Sequence, residues 1–476
     1  MLPDDVFLEI FDFYVIQGFR LLGRQKIEGW QMLAHVCRRW RSVIFQSQRR
    51  LNLQLLCTPK TPARDTMDIW PPLPLIIQDF YGAPNYWNRQ WNGTSGLDNI
   101  MAALEHNDRV CQIKLMHLTS SQMGYVTDSA VMQKQFPELT VLWLETFILY
   151  NGLGPILPES FLGGTAPRLQ SLVLSNVSFT ALPKLLLSVT HLVNLDLNFI
   201  PRSGYIPPEV MATSLSALTS LQSLYLQFRY PRPRTAQDSR PLPQPTRSIL
   251  PSLTKIGFKG ASEYLEVILA RIDAPRLNKM HITFFSQVIF DIPQLFQFIG
   301  RRPMLRAPER GHIAFNSKAI IVRFPSQTSG VLSIQIPCTG SEWQLSSLEQ
   351  VCSSSMPPIS TLEDLCIFED RGYPPRWQDD VESTLWLELL HPIAAVKNLY
   401  LCEKLVPRIA PALKELVGGR TTEVLPNLEN IFLEGFQPSG PLHEGIAKFI
   451  AARQLTSHPV AVSRWDRESN RNQERC

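Results

Sequence analysis

Apolar residues recur along the chain in the pattern L-x-x-L-x-L, whose last three positions alternate with the period of two that is typical of a β-strand. Clear copies read PELTVLWLE, PRLQSLVLS, THLVNLDLN, TSLQSLYLQ and PNLENIFLE, and a partial copy, VKNLYLCE, begins near Val396. These copies predict internal repeats. The first apolar position of each full copy is Val110, Leu139, Leu169, Leu192, Leu221, Leu253, Leu277, Leu362 or Leu428.

The segments between neighbouring copies predict helices. Adjacent copies lie roughly 23 to 32 residues apart, and stretches such as TALPKLLLSV and SEYLEVILARI separate them. A single repeat of one strand and one helix cannot bury its own apolar face. Neighbouring repeats must therefore stack their leucines into a continuous core. We therefore expect an α/β repeat fold, an irregular leucine-rich-repeat solenoid in the form of a horseshoe.

The residues between the inward leucines are expected to point to the concave face of that horseshoe. Aromatic side chains among charged and amide groups suit protein recognition, because a few aromatic anchors usually carry most of the affinity. The alternative is that these aromatics pack on each other or under loops. The proposed target-binding residues are Trp143, Glu145, Asp196, Asn198, Tyr225, Gln227, Lys259, His281, Phe368, Tyr400 and Phe432, and further outward positions are Lys114, Met116, Val173, Ser175, Thr283 and Glu434.

The array is interrupted twice. Residues 230–247 are rich in proline and arginine and predict an exposed loop insert, which a polyproline-binding partner could also use. Between 301 and 358 the repeat signal fades, although AIIVRF and VLSIQI still indicate strands. The expected organisation is a helical domain at 1–50, a linker and N-terminal cap at 51–105, the array at 106–455 and a largely disordered tail at 456–476.

Two amphipathic helical segments open the chain. Residues 2–16 carry an apolar stripe behind Leu2-Pro3, and residues 28–46 carry apolar residues at i, i+3, i+4 and i+7 with arginines on the other face. So short a helical unit is marginal alone, and it should need a partner or the following domain.

The motifs LPDDVFLEIF and WQMLAHVCRRWRSVIF together resemble the F-box, whose usual form is L-P-x-E-hydrophobic, then I-F, L and V-C-R-x-W-R. Extra residues around Val15 to Gly29 separate the two halves here, which leaves the middle helix and its contacts open. The continuation SQRRLNLQL and the C-terminal RQLTSHPVAVSRWDRE are similar to F-box-like proteins of basidiomycete fungi. The resemblance implies a Skp-family adaptor, and through it a cullin, as partners. The adaptor-binding residues that it implies are Leu2, Pro3, Val6, Ile10, Phe11, Leu33, Val36, Cys37, Trp40 and Arg41.

Composition narrows the function classes. The net charge of +4 is small for 476 residues, so we expect no nucleic-acid partner, although the arginines of CRRWRSVIFQSQRR offered that alternative. The eight cysteines form no C-x-x-C pair or zinc spacing, which favours a reducing compartment, cytoplasmic or nuclear. The opening MLPDDVFLEIF lacks the basic start of a secretory signal, and no uncharged apolar run reaches about 18 residues, so we expect no membrane association.

The motifs of common catalytic sites are missing: the chain has no phosphate-binding loop, G-x-G-x-x-G after a strand, G-x-S-x-G elbow or H-E-x-x-H. We therefore expect a non-enzyme without cofactor or metal. Three hypotheses follow. The leading one is the substrate-recognition subunit of an SCF-type cullin–RING ubiquitin ligase, with a target protein on the array. The second is an interaction scaffold whose N-terminal helices only cap the array. The third is an enzyme on a repeat fold.

Overall fold

A computed structural model of the chain describes two units, Met1–Leu221 (unit 1) and Gln222–Cys476 (unit 2). Each unit is a sheet of stacked strands with helices in the connections. The described residues are 2–21, 29–60, 63–79, 96–146, 154–231, 247–287, 289–306, 308, 310–325, 330–338, 341–352, 356, 359–370, 372–375, 377, 383–416, 420, 422–437 and 442–467.

Unit 1 begins with three helices and continues as a parallel sheet in the order β1-β2-β3-β4-β5-β6. Its strands are β1 Leu55–Cys57, β2 Leu75–Gln78, β3 Val110–Leu118, β4 Val141–Thr146, β5 Ser171–Ser175 and β6 Asn194–Ile200. Its helices are α1 Asp4–Leu21, α2 Gly29–Val36, α3 Arg38–Gln46, α4 Ala63–Ile69, α5 Leu97–Leu104, α6 Ser120–Thr127, α7 Leu182–Leu186 and α8 Pro208–Leu215, with 3₁₀ turns at Phe161–Gly164 and Arg202–Gly204.

The leucine pattern forms the rows of the core. Each copy from Leu139 onward begins a strand two residues later, and Val110 itself opens β3. Leu142, Leu172 and Leu195 lie opposite one another on β4, β5 and β6, and all three are fully buried. Their alignment removes the apolar face of each repeat from water, which is the main favourable contribution to the stability of a stacked array.

The sheet starts earlier in the chain than the pattern indicated. Residues 51–105 were expected to be a linker and cap, but β1 and β2 pair in parallel with each other, and β2 pairs with β3. Leu55, Leu75 and Ile77 are fully buried. These two strands are too short to show the full L-x-x-L-x-L pattern.

The N-terminal segment is a three-helix unit rather than two helices. The segment predicted as one helix over 28–46 breaks at Cys37, whose backbone is extended and whose Sγ accepts a hydrogen bond from the Trp40 amide at 3.5 Å. A side-chain acceptor at that position caps the start of a new helix. Trp30, only 3% exposed, donates through Nε1 to the Gln54 carbonyl at 3.2 Å and ties the helices to the following segment.

Unit 2 contains a ten-stranded sheet in the order β7-β9-β11-β14-β13-β12-β15-β16-β17-β18 and a separate parallel pair, β8 and β10. Its strands are β7 Ser223–Phe228, β8 Ser248–Ile249, β9 Lys255–Gly260, β10 Ile272–Asp273, β11 Lys279–Phe284, β12 Arg310–Phe315, β13 Ala319–Pro325, β14 Val331–Pro337, β15 Asp364–Glu369, β16 Asn398–Leu401, β17 Asn430–Glu434 and β18 Ala461–Trp465. Its helices are α9 Ser262–Arg271, α10 Pro293–Gly300, α11 Pro303–Arg306, α12 Ser341–Val351, α13 Ser383–Leu390, α14 Val406–Glu415 and α15 Glu444–Leu455, with 3₁₀ turns at Ile359–Thr361 and Glu403–Leu405.

An antiparallel insertion explains why the repeat signal fades between 301 and 358. The strands β12, β13 and β14 form a meander in which β13 runs antiparallel to both neighbours. Its first strand pairs in parallel with β15, and its last pairs in parallel with β11. A meander needs no helical crossover between its strands, so this segment lacks the leucine spacing of the other repeats. Both strands predicted there, AIIVRF and VLSIQI, are confirmed.

The C-terminal boundary also differs from the expectation. Strand β18, inside the expected tail 456–476, pairs in parallel with β17, and Trp465 is buried. The rest of that tail beyond Arg467 lies outside the described residues, as does most of the loop insert predicted at 230–247.

Candidate binding surfaces

The first candidate surface is an exposed apolar stripe on the N-terminal helices. Leu2, Val6 and Ile10 are 51%, 40% and 47% exposed. Val6 and Ile10 are four residues apart on α1, which places them on one side of the helix, and Leu2 lies just before its first residue. Val36 on α2 is 58% exposed. A contiguous group of exposed apolar side chains is typical of a contact site.

The structure divides the ten residues that the F-box resemblance implied. Pro3, Cys37 and Arg41 are exposed together with the stripe, and Arg41 Nε donates to the Ala34 carbonyl at 3.0 Å. Phe11 and Leu33 are buried, which corrects their assignment as contact residues. They form the core of the three-helix unit.

Trp40 belongs mainly to that core as well. It is half-buried, and its ring lies 5.0 Å from the ring of Phe11 and 5.7 Å from that of Phe7. Arg39 Nη2 donates to Asp4 Oδ1 and to the Leu2 carbonyl, both at 2.7 Å. This aromatic cluster and the arginine clamp hold α1 against α3, so the stripe is presented on a fixed support.

The second candidate surface is the outward row of unit 1. Trp143 and Glu145 lie on β4, where the indole Nε1 donates to Glu145 Oε2 at 3.2 Å. Asp196 and Asn198 lie on β6, two strands away. Burial, and then the charge of Glu145, raise the pKa of Asp196 to about 6, while a hydrogen bond from Asn198 opposes the shift. The outward row therefore has two neighbouring acids under mutual repulsion.

The outward residues at the start of unit 2 form a different environment. Tyr225, Gln227 and Lys259 are partly exposed on β7 and β9, and His281 is exposed on β11. Tyr225 lies against the neighbouring Gly257, where a Cβ atom would approach Tyr225 Cδ1 to 2.2 Å. The missing side chain at Gly257 leaves the space in which the tyrosine ring lies.

The aromatic residues predicted near the end of the array pack on each other. Tyr400 stacks on Phe432 with 4.5 Å between ring centroids, and Trp465 approaches Tyr400 edge-on at 5.6 Å. The guanidinium of Arg467 lies over the ring of Phe368 at 4.0 Å. All three predicted residues are partly exposed, so they combine a packing role with an accessible edge.

A polar chain beside these aromatics was not predicted. Arg310 pairs with Asp364 at 3.2 Å, Asn398 donates to Asp364 Oδ1 at 2.7 Å, and Asn430 donates to Asn398 Oδ1 at 2.8 Å. The four residues are register partners on β12, β15, β16 and β17. Asp364, Asn398 and Asn430 each come directly before the apolar strand residues of their repeats. An alignment of the repeats would have shown that polar residues share this position.

The described residues contain no feature of a metal centre: no three His, Cys, Asp or Glu side chains among them come together to hold a metal ion. Cys366 and Cys402 are buried, and burial is the main cause that raises the pKa of the Cys402 thiol. None of the helices within the described ranges is long and apolar enough to cross a membrane.

Comparisons with known proteins find similarity to solved structures, one of which is a leucine-rich-repeat protein. The crystal structure of the leucine-rich repeat-containing protein LegL7 from Legionella pneumophila aligns over 86% of this chain and 99% of its own, at 13% identity and a TM-score of 0.25. No family model matches the chain, and no curated protein matches it. The repeat assignment rests on the strand register and on the buried leucine rows, since a TM-score of 0.25 carries no weight.

Proposed function

We propose that the chain is a protein-binding receptor, the substrate-recognition subunit of an SCF-type cullin–RING ubiquitin ligase. The N-terminal helices would dock on a Skp-family adaptor, and the outward faces of the sheets would hold a target protein. The observation that carries the proposal is the exposed stripe of Leu2, Val6 and Ile10, because these apolar positions of the F-box-like motif are the ones left open to a partner.

The mechanism in this proposal is positioning. A receptor that holds a target beside an activated ubiquitin raises the effective concentration of the target's lysines, and it needs no catalytic residue of its own. Rigid support matters for that role. The contacts of Arg39 with α1 and the hydrogen bond of Trp30 to Gln54 tie the docking helices to the segment that enters the sheet of unit 1.

The second candidate is a scaffold whose N-terminal helices cap the array and bind no adaptor. The buried contacts of Trp30 are compatible with this scaffold, because a cap needs the same packing as a docking module. The indole ring lies 5.1 Å from the ring of Trp70 and 6.2 Å from that of Phe45. Helix α1 also continues into the extra residues between the two F-box halves, as far as Leu21. Adaptor binding separates the two candidates.

The experiment is a titration of purified Skp-family adaptor against the full chain and a double variant, Val6→Asp with Ile10→Asp. Both residues are exposed, so the variant should fold, which circular dichroism checks. We expect at least about a tenfold loss of affinity, since two truncated contacts of about 1 kcal/mol each suffice. The matched control, Leu187→Asp with Ile249→Asp, changes two residues that are 56% and 61% exposed elsewhere and should bind normally.

Two outcomes would count against the proposal. If the intact chain does not bind the adaptor, the ligase role is lost and the scaffold remains. If the Val6 and Ile10 variant binds as tightly as the control, the stripe on α1 is not the contact surface.

A further inference from the structure

Four cationic side chains and one histidine share one face of neighbouring strands in unit 2. Lys255 and Lys259 lie on β9, Lys279 and His281 on β11, and Arg323 on β13. All five occupy outward positions that alternate with buried residues. Strand β14 lies between β11 and β13 and adds Ser333 to the same face.

The register places these cations close together. Lys255 and Lys279 are direct partners on adjacent strands, which are about 4.8 Å apart. His281 is the register partner of Ser333, and Ser333 is the register partner of Arg323. The strands β11 and β13 are therefore two spacings apart, about 10 Å in total. The face holds several positive charges within reach of one short ligand.

No acid on the same face neutralises this patch. The outward positions of β7, β9, β11, β14 and β13 contain no Asp or Glu. No ion pair joins any of the five side chains to a residue that the structure describes. Burial, followed by the charges of Arg323 and Lys279, lowers the pKa of His281. The positive charges of Arg323 and Lys279 therefore disfavour a further positive charge on His281.

Several other cations of unit 2 are paired with acids. Arg310 on β12 pairs with Asp364, and Arg302, which is buried, pairs with Asp273. Lys397 pairs with Glu363. These cations thus have acidic partners, whereas the structure describes none for the cations of β9, β11 and β13.

The patch has an apolar border. The ring of Tyr225 covers Gly257 on the next strand, where a substituent would collide with it. Gly257 is the register partner of both Tyr225 and His281. A flat aromatic surface beside cations suits the stem of an acidic side chain, whose methylenes contact the ring while the carboxylate meets a lysine.

We propose that this face of unit 2 binds an extended acidic segment of the target protein, with Lys255, Lys279 and Arg323 as the main charge contacts and Tyr225 as the apolar one. The proposal rests on the proposed function in that the array holds a target. From β9 to β13 the patch spans three strand spacings, about 14 Å, which matches four or five residues of extended chain at about 3.3 Å each. Alternate residues of such a segment would present their carboxylates to the same face.

The test is fluorescence anisotropy of a labelled octapeptide of alternating Glu and Ser against the full chain without adaptor. We expect binding that weakens with added salt, because exposed charge pairs are screened. The variant Lys255→Gln, Lys279→Gln, Arg323→Gln should bind at least about tenfold more weakly, since three ion pairs of about 0.5 kcal/mol each account for that factor.

A matched control removes the same charge elsewhere: Lys184→Gln, Arg276→Gln, Lys404→Gln, at three exposed cations outside the patch. It should bind like the natural chain. An equal loss of peptide affinity in both triple variants would show that only net charge matters and would overturn the proposed site. Binding of a Lys/Ser octapeptide with the same affinity would overturn it as well. Preference for a single-stranded oligonucleotide over the acidic peptide would overturn the assignment of the partner. Adaptor is absent from every arm, so failure here leaves the docking of α1 untouched, and failure of adaptor binding leaves this patch untouched.

Discussion

The ring of Tyr400 stacks on the ring of Phe432 with a centroid distance of 4.5 Å and an interplanar angle of 8°. The two residues are register partners on β16 and β17. Neighbouring strands hold their side chains about 5 Å apart, so two outward aromatics at the same position in successive repeats stack. Such a ladder stabilises the sheet and leaves one ring edge available to a partner.

Truncating one ring tests the stacking. Phe432→Ala should lower the free energy of unfolding by about 1 to 2 kcal/mol, from the lost ring contact and the lost burial of a partly exposed side chain. Urea unfolding measures it. Tyr373→Ala is the matched control, because Tyr373 is 67% exposed, and its effect should stay within about 0.5 kcal/mol. Equal effects for the two variants would show that the stacked geometry adds nothing.

The contact of Tyr225 with Gly257 gives a second prediction. Gly257→Ala places a Cβ atom 2.2 Å from Tyr225 Cδ1, so the ring must move. We expect the free energy of unfolding to fall by about 1 to 3 kcal/mol. In a Tyr225→Ala background the same substitution should be almost neutral. A coupling below about 0.5 kcal/mol in this double-mutant cycle would contradict the contact.

The acid pair of unit 1 predicts a pH dependence. Burial and Glu145 raise the pKa of Asp196 from its ordinary value of 3.8 to about 6, so the folded state binds this proton more tightly than the unfolded state and ionisation opposes folding. Asp196→Asn should therefore stabilise the chain at pH 8. The whole shift would correspond to about 3 kcal/mol, and we expect about 1 kcal/mol because the side chain is partly open to screening water.

The pH profile distinguishes this origin from a packing effect. The advantage of Asp196→Asn should shrink as the pH falls through about 6 and vanish below about 4, where the carboxyl is protonated in both states. In a Glu145→Gln background the transition should move to lower pH, because one cause of the raised pKa of Asp196 has been removed. An advantage of the same size at pH 4 and pH 8 would rule out the electrostatic explanation.

The polar chain gives a fourth prediction. Asn398 accepts from Asn430 and donates to Asp364, so Asn398→Ala should destabilise the chain by about 1 kcal/mol through two lost hydrogen bonds. Asn398→Asp should cost more at neutral pH than at pH 4, since it places a second carboxylate beside Asp364. Urea unfolding at both pH values measures these effects. Identical losses of stability for the two variants at pH 7 would contradict the hydrogen bonds that join Asn398 to Asp364 and Asn430.

The repeat pattern predicted some residues of the proposed binding face of unit 2 and missed others. Tyr225, Lys259 and His281 were found because they sit between the inward residues of a strand. Lys255 and Lys279 occupy the position before each apolar core and were passed over. Arg323 could not be placed, because it lies in the antiparallel meander, where the repeat pattern gives no register.

The sequence by itself determined where the repeat strands lie and which of their side chains point outward, because the alternation of a strand is a local property and a buried leucine row leaves a single register. Tertiary structure decided which side chains meet. It buried Phe11 and left Ile10 exposed on the same helix. It also stacked Tyr400 on Phe432 and placed Arg323 two strands from His281 in the same register row. Those outcomes depend on packing between segments far apart in the chain, on which a local pattern carries no information.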